Sequence, residues 1–239
     1  NISITGFGTI DGQGGNKTFQ FGNDADGGPK RPKIIYFVEC KGIVVTDVTL
    51  RNSAYWVQHY EKCEDVTIRG LKVFSHCNYN NDGLDIDAKN ATISDCYIDV
   101  EDDAICFKSD HPDFCENITV TNCVTASNCN AIKFGTASHG GYRNIAVSNC
   151  VVRRAAEDNI RHWSKQLEHI SADVTVISGV AIEMVDGGII DGITVSNISM
   201  RDVQTPIFIR LGDRHRTYRK EGGVLLSLIH ISEPTRLLS

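Results

Sequence analysis

Residues 117–123, Asn117-Ile118-Thr119-Val120-Thr121-Asn122-Cys123, decide the fold, because the same short unit returns along the chain. Apolar and polar residues alternate within the unit, which is the period of a β-strand with one buried face. The first apolar positions of its copies are 43, 66, 91, 118, 145 and 193. The copies are thus 23, 25, 27, 27 and 48 residues apart, and the last interval is interpreted as two units of about 24. Such a period is typical of a solenoid.

The spacing of the units also predicts how their strands pair. Consecutive strands are separated by about 17 residues, so they cannot form tight hairpins. A parallel stack, in which each turn of the chain lies on the one before, satisfies both the alternation and the spacing. The sequence therefore predicts an all-β fold, a single-stranded right-handed parallel β-helix with coils of about 25 residues. A leucine-rich horseshoe would need a Leu-x-x-Leu-x-Leu pattern, and a propeller would need frequent hairpins.

The composition is that of an ordinary globular chain. Its 239 residues carry a formal net charge of −6, and 23% of them are charged while 41% are hydrophobic. An acidic chain without a concentrated basic face is not expected to bind nucleic acid. No apolar run approaches the roughly 18 residues that span a membrane, so no membrane partner is expected. We predict a monomer.

The nine cysteines are best explained by packing. Cys96, Cys123 and Cys150 are 27 residues apart, so they share a phase in the coil and should form a ladder of small buried side chains. A second set precedes the first apolar position of a strand by three residues and comprises Cys40, Cys63 and Cys115. A disulfide or metal framework is the alternative, although no Cys-x-x-Cys pair supports it.

Both ends of the sequence look cut. The first six residues already have the pattern of a strand that enters a turn. Residues 226–236 resemble the translation of a transposase adapter used in DNA library preparation, so we interpret 226–239 as non-native sequence. Residues 1–225 are then one β-helix domain, incomplete at both ends. A genuine strand at the C-terminus is the alternative.

A second strand in each coil carries polar residues. If its copies align, their first residues form one column, made of Asp82, Asp103, Asn130 and Asp158. Three positions further on, a second column contains Asp85, Cys106, Lys133 and Arg161. Because alternation sends the intervening Leu and Ile residues inward, the second column is expected to face solvent.

These columns would gather carboxylates in one groove. Asp102 precedes Asp103 directly, and Asp82 lies one coil away. Clustered carboxylates raise one another's pKa, so one can stay protonated as an acid while another is ionised as a base. Cleavage of a glycosidic bond requires such a pair. Lys133 and Arg161 could then hold the carboxylate of an acidic sugar. Capping of turns by Asp and Asn, or a calcium site, would also explain clustered carboxylates.

At these residues the chain resembles glycoside hydrolase family 28, the polygalacturonases and related pectin hydrolases. The resemblance covers most of residues 1–215 and begins at Gly6-Phe7-Gly8-Thr9-Ile10-Asp11-Gly12. The family's Asn-Thr-Asp motif appears as Asn80-Asn81-Asp82, and its Asp-Asp motif as Asp102-Asp103. The resemblance implies that Asp103 is the general acid, that Asp82 and Asp102 activate the attacking water with inversion at the anomeric carbon, and that Asn80 contributes to substrate binding.

Two motifs depart from the family pattern. Its Gly-His-Gly falls at Cys129-Asn130-Ala131, so Asn130 replaces the histidine as a candidate for substrate binding. Its Arg-Ile-Lys aligns with Arg161-His162-Trp163, which keeps the arginine alone. His139, in the loop just past the Asn130 strand, could supply an imidazole instead. The departures imply a preference shifted away from plain polygalacturonate, with rhamnogalacturonan or a decorated pectin as candidates.

The resemblance also implies an O-glycosyl hydrolase that is secreted or periplasmic, with a polysaccharide as its partner and neither cofactor nor metal. Two other functions remain open from the residues alone. One is a non-catalytic, carbohydrate-binding β-helix of the kind found in phage tailspikes. The other is a polysaccharide lyase, which would use a cation and a basic residue. A β-helix can host all three functions, so the fold does not distinguish them.

Overall fold

The computed structural model describes residues 1–19, 31–156 and 176–214. Apart from a short 3-10 turn at Lys17–Phe19, the regular structure in these ranges is β-strand. The strands are β1 Ile2–Thr5, β2 Thr9–Asp11, β3 Ile35–Val38, β4 Lys41–Thr46, β5 Thr49–Arg51, β6 Gln58–Arg69, β7 Lys72–Ser75, β8 Leu84–Ser94, β9 Tyr97–Val100, β10 Ile105–Ser109, β11 Cys115–Thr121, β12 Val124–Ser127, β13 Asn130–Ser138, β14 Gly141–Arg154, β15 Val176–Met184, β16 Ile189–Met200 and β17 Val203–Leu211. No helix among the described residues has the length and hydrophobicity that a bilayer crossing requires.

All the pairings between these strands are parallel, and they build three faces of a β-helix. Face A contains β3, the start of β6, the start of β8, β10, β13, β15 and β17. Face B contains β1, β4, the later parts of β6 and β8, β11 and the first parts of β14 and β16. Face C contains β2, β5, β7, β9, β12 and the last parts of β14 and β16. The predicted parallel β-helix is confirmed.

The strand register follows the repeat read from the sequence. On face B, Ile118 pairs with Ala91 on one side and with Ile145 on the other. The same column continues through Val66 to Ile43. These side chains are at most 2% exposed and line the core. The intervals of 23, 25, 27 and 27 residues are therefore single coils.

The interval of 48 residues is also a single coil, so its interpretation as two units was wrong. Ile145 pairs directly with Ile193. On face A, β13 likewise pairs directly with β15, and Ile132 lies opposite Val180. The extra residues fall between the end of β14 at Arg154 and the start of β15 at Val176, and of these 157–175 lie outside the described ranges.

Polar residues form a ladder at one turn, and the predicted cysteine ladder lies beside it. The turn between faces B and C holds Asp95, Asn122, Asn149 and Asn197, each with φ between 51° and 58°. Asn and Asp tolerate this left-handed conformation better than other residues with a side chain. The Asn122 amide donates to Asp95 at 3.3 Å, and the Asn197 amide donates to Asn149 at 3.2 Å. The cysteine ladder of Cys96, Cys123 and Cys150 is buried beside this turn, and none of the nine cysteines, all within the described ranges, forms a disulfide.

Gly83 fixes the point at which the chain enters face A. A Cβ atom here would lie 2.5 Å from Cγ2 of Ile98 and 2.7 Å from the carbonyl oxygen of Ala104. Only glycine lets the chain that enters β8 pack against β9 and the turn before β10 at this point. The position of Asp82, one residue earlier, depends on this close approach.

We predict that Gly83→Ala destabilises the protein by about 1–3 kcal/mol, because the methyl group overpacks a rigid core. The urea midpoint of unfolding measures the effect. Gly8→Ala is the matched control, since a Cβ atom at Gly8 would have nothing within 4 Å. Equal midpoints for the two variants would contradict the role assigned to Gly83.

Candidate active site

The candidate site lies where face C ends and face A begins, at the turns of consecutive coils. Asp82 precedes β8, the pair Asp102-Asp103 precedes β10, and Asn130 begins β13. The Gly83 amide donates to the carbonyl of Asp103 at 2.8 Å, and the Ala104 amide donates to the carbonyl of Asn130 at 2.9 Å. These backbone bonds hold the coils in register, so the predicted column of Asp82, Asp103 and Asn130 is confirmed.

The second predicted column is present in part. Asp85 pairs with Cys106, and Cys106 pairs with Lys133. The expectation that this column faces solvent was wrong for its first two members, because Asp85 and Cys106 are fully buried. They lie on the side of the strand opposite the core, but the Lys108 side chain contacts Asp85 there and the Cys106 thiol donates to the carbonyl of Gly135.

Arg161 does not continue the second column. The residue paired with Lys133 on the next coil is Ala181, and the residue paired with Asn130 is Ser178. The alignment of Asp158 and Arg161 with these columns was therefore wrong, for the same reason as the miscounted 48-residue interval. Both residues lie outside the described ranges, and a part for Arg161 in substrate binding stays a prediction.

Asp103 is surrounded by donors. Lys133 Nζ lies 2.9 Å from Asp103 Oδ2, and the Asn130 amide donates to Asp103 Oδ1 at 2.7 Å. Burial acts to raise the pKa of the Asp103 carboxyl, but the charges of Lys133 and Lys108 and the Asn130 hydrogen bond outweigh it. The pKa is lowered, so Asp103 is ionised at neutral pH.

Asp102 has the opposite electrostatic environment, although it is the neighbouring residue. The Asn80 amide donates to Asp102 Oδ2 at 3.2 Å, and the Asp103 backbone N–H donates to Asp102 Oδ1 at 2.9 Å. Burial raises the pKa of the Asp102 carboxyl, and the negative charge of Asp103 raises it further. Arg31 orients Asn80 by donating to its Oδ1 at 3.1 Å. Asp102 is thus the member of the pair that favours its protonated form.

Asp82 and Asp85 share one buried cation. Lys108 Nζ lies 3.1 Å from Asp85 Oδ1 and 3.5 Å from Asp82 Oδ2. Burial, followed by the charges of Asp85 and Asp102, raises the pKa of Asp82 well above its usual value. Burial also raises the pKa of Asp85 to about 6, against the opposing effect of Lys108. Asp82 Oδ1 is buried and accepts no hydrogen bond from the described protein groups.

Three residues of this site were not assigned a role from the sequence, namely Arg31, Asp85 and Lys108. Lys108 follows Ile105-Cys106-Phe107, and the alternation of that strand already places it on the same outer face as Cys106. Its burial and its two carboxylate partners depend on packing between coils. Arg31 contacts the site from more than 45 residues away along the chain, with its guanidinium 3.8 Å from the centre of the Tyr79 ring.

His139 lies elsewhere. It follows Ser138 at the opposite end of β13 from Asn130, where its backbone N–H donates to the carbonyl of Ser109 at 2.6 Å. Asn80, Asn130 and Lys133, by contrast, are brought directly onto the aspartates. We therefore leave His139 out of the candidate site.

One group of described residues could approach a metal ion. A ligand atom from each of Asp102, Asp103 and Cys129 lies within 4.8 Å of the others. The set does not suit calcium, which prefers oxygen ligands. Burial raises the pKa of the Cys129 thiol well above its usual value, so the thiol is neutral, and Asp103 already pairs with Lys133. The arrangement favours proton transfer and not a calcium site of the type a lyase would use.

Comparison with known proteins adds independent information. The probable polygalacturonase of Vitis vinifera is 35% identical over 115 residues, which are 46% of this chain and 23% of that protein. The polygalacturonase of Chamaecyparis obtusa is 34% identical over 112 residues, which are 44% of this chain and 22% of that protein. The chain therefore spans less than a quarter of the curated relatives that it matches.

A solved structure supports the fold. The family 28 exopolygalacturonase of Yersinia enterocolitica superimposes with a TM-score of 0.51 over 73% of this chain and 36% of that protein, at 13% sequence identity. The model of the family described as "Glycosyl hydrolases family 28" matches residues 1–231. With the match covering nearly the whole sequence, the chain belongs to glycosyl hydrolase family 28.

Proposed function

We propose that the chain carries the catalytic centre of an inverting glycoside hydrolase that cleaves a pectin-type polysaccharide, such as polygalacturonate, rhamnogalacturonan or a related acidic polymer. The observation that carries the proposal is the unequal pairing of two adjacent buried carboxyls: Lys133 and Asn130 contact Asp103, whereas the Asn80 amide contacts Asp102. These contacts lower the pKa of Asp103, and burial beside the charge of Asp103 raises that of Asp102. Glycoside hydrolysis needs one protonated and one ionised carboxyl at the scissile bond. The similarity to proteins named as a probable polygalacturonase and a polygalacturonase supports the same substrate class.

The electrostatics change one role that the family resemblance implied. Asp103 is the poorer acid, because Lys133 and Asn130 stabilise its ionised form. We assign the general acid to Asp102, which donates its proton to the leaving glycosidic oxygen. Asp103 accepts a proton from the attacking water, and Asp82, with an oxygen that no described group satisfies, helps to hold that water. Asn80 orients the acid and Asn130 orients the base.

We expect Asp103→Asn to lower the release of reducing ends from a panel of pectic polysaccharides by at least about 10²-fold, because a general base is lost. Asp95→Asn is the matched control. Asp95 is an exposed turn residue with φ 58°, in the ladder where the next coil has Asn122, so an amide fits there without strain.

Hydrolysis by the parent and by Asp95→Asn, lost in Asp103→Asn, would support the proposed hydrolase. An Asp103→Asn variant as fast as its parent would contradict it. Oligosaccharide binding without any cleavage by the parent would favour the non-catalytic β-helix instead. An unsaturated product that absorbs in the near ultraviolet would identify a lyase.

A substrate with a good leaving group separates the acid from the base. Nitrophenolate leaves without protonation, so Asp102→Asn should keep most of its kcat/KM on a nitrophenyl galacturonide while losing about 10²-fold or more on the polymer. Asp103→Asn should lose activity on both substrates. If Asp103→Asn is instead the variant that the aryl substrate spares, Asp103 is the acid and our assignment is reversed.

Whether the charge of Lys108 stabilises the fold can be tested without substrate. Removing the cation from a buried pair leaves uncompensated charge, so Lys108→Met should cost about 3–5 kcal/mol of unfolding free energy at about pH 8. The pKa of Asp85 is raised above its unfolded value, to about 6, so Asp85 favours folding while it is protonated and this advantage disappears as the pH rises. At about pH 5 Asp85 is neutral, and the cost should be smaller.

Urea unfolding at the two pH values measures this difference. Lys72→Met, at an exposed lysine of face C, is the control and should change stability little at either pH. A Lys108→Met cost that is the same at both pH values would mean that Lys108 acts through packing and not through its charge.

A further inference from the structure

A second cluster of side chains lies beside the aspartates, on the N-terminal coils of face A. The column that contains Asp85 continues to His59 on the preceding coil and to Tyr36 on the coil before that. The rings of Tyr36 and His59 stack, with centroids 5.3 Å apart. Adjacent coils are separated by the spacing of neighbouring strands, about 4.8 Å, so His59 lies one coil spacing from Asp85 and Tyr36 lies two.

Lys33 places an ammonium group at the centre of this cluster. Its Nζ lies 3.9 Å from the centre of the Tyr36 ring and 4.6 Å from that of Trp56. Lys33 and Trp56 are half-buried and Tyr36 is exposed, so the cluster is open to a ligand. Aromatic faces pack against the apolar face of a sugar, and an ammonium group binds a carboxylate.

His59 orients the ammonium group. Lys33 Nζ donates to His59 Nδ1 at 2.8 Å, which requires a neutral imidazole. Burial, and then the nearby charge of Lys33, lower the pKa of His59 to about 2, so the ring stays neutral. Glu61 is not a competing partner for the ammonium in this geometry, since it accepts from the Tyr36 hydroxyl and lies 3.1 Å from His111 Nε2.

Lys33 differs from Lys108 and Lys133 in that its charge is available to a ligand. Lys108 pairs with Asp82 and Asp85, and Lys133 pairs with Asp103 and lies 3.7 Å from Glu183. Among the described residues, by contrast, no carboxylate forms an ion pair with Lys33. Of the two residues that the sequence indicates for holding the acidic sugar, Lys133 and Arg161, Lys133 already uses its charge within the site.

We propose that Lys33, oriented by His59 and flanked by Tyr36 and Trp56, is a substrate subsite that binds the carboxylate of a uronate residue on the N-terminal side of the catalytic aspartates. The subsite rests on the proposed function for its ligand class. It assigns specificity for an acidic sugar to residues 33–59 and not to Lys133.

Binding in the absence of cleavage tests this subsite. In an Asp102→Asn background, calorimetry would compare tetragalacturonate with the same oligomer after reduction of its carboxyl groups to alcohols. Lys33→Gln should weaken binding of the acidic oligomer about tenfold or more, the loss of one charge-assisted hydrogen bond. Binding of the neutral oligomer should change less than about twofold, since the sugar faces still pack on the rings.

Two further variants complete the test. Lys33→Arg keeps the charge and should retain the preference for the acidic oligomer, whereas Lys72→Gln should leave both affinities unchanged. If Lys33→Gln weakens binding of both oligomers equally, Lys33 has a packing role and the subsite is overturned. Unchanged binding of the acidic oligomer would also overturn the subsite. The readout is affinity, so the subsite and the proposed function can fail separately. If the parent protein cleaves no pectin but the Lys33-dependent preference for the acidic oligomer is present, the proposed hydrolase is refuted and the subsite stands.

Discussion

The compensation of buried carboxylates by two buried ammonium groups is the interaction on which the site depends. Asp82, Asp85, Asp102 and Asp103 are each at most 4% exposed. Ionised groups in such surroundings cost several kcal/mol each unless they are paired. Lys108 and Lys133, on consecutive strands of face A, supply that pairing by reaching towards the preceding coils. Neighbouring carboxylates raise the pKa of both lysines well above the usual value, so the lysines keep their charge despite burial.

The uneven position of these two charges also separates the aspartates chemically. Asp102 and Asp103 are adjacent in sequence and equally removed from water, yet the pKa of one is raised and that of the other is lowered. The difference comes from the backbone, which directs Asp103 along the column towards Lys133 and Asn130 and directs Asp102 towards the amide of Asn80. A pair of identical residues can therefore take the two different roles that glycoside hydrolysis needs.

Much of the fold could be predicted from the sequence, because a parallel stack repeats the same local requirement on every coil. The alternating apolar residues of the repeat predicted the register of β4, β6, β8, β11 and β14. The prediction failed at the 48-residue interval, since a spacing near twice the period cannot distinguish two coils from one coil with an insertion. The pairings of Ile145 with Ile193 and of Ile132 with Val180 distinguish them.

The site was predictable to a smaller extent. Motifs located Asp82, Asp102 and Asp103, and alternation located the outer column, but alternation gives the face of a strand and not its burial. Whether Asp85 is solvated or paired with Lys108 depends on side chains from neighbouring coils. The contacts of Arg31 with Asn80 and of Lys33 with His59 likewise join positions with no periodic relation, so no sequence pattern marks them.

These charges restrict how the groove can recognise an acidic sugar. If a substrate carboxylate took Lys133 from Asp103, the main stabilisation of the ionised base would be lost, and the pKa of Asp103 would rise as substrate bound. Under the proposed function, the cation that stabilises the ionised Asp103 cannot also be the principal cation that binds the substrate. An acidic polymer is then best held by a charge that no catalytic carboxylate uses, and on the described coils Lys33 meets this requirement. If one cation stabilises Asp103 and another binds the substrate, substrate preference can change while the protonation states of Asp102 and Asp103 are preserved.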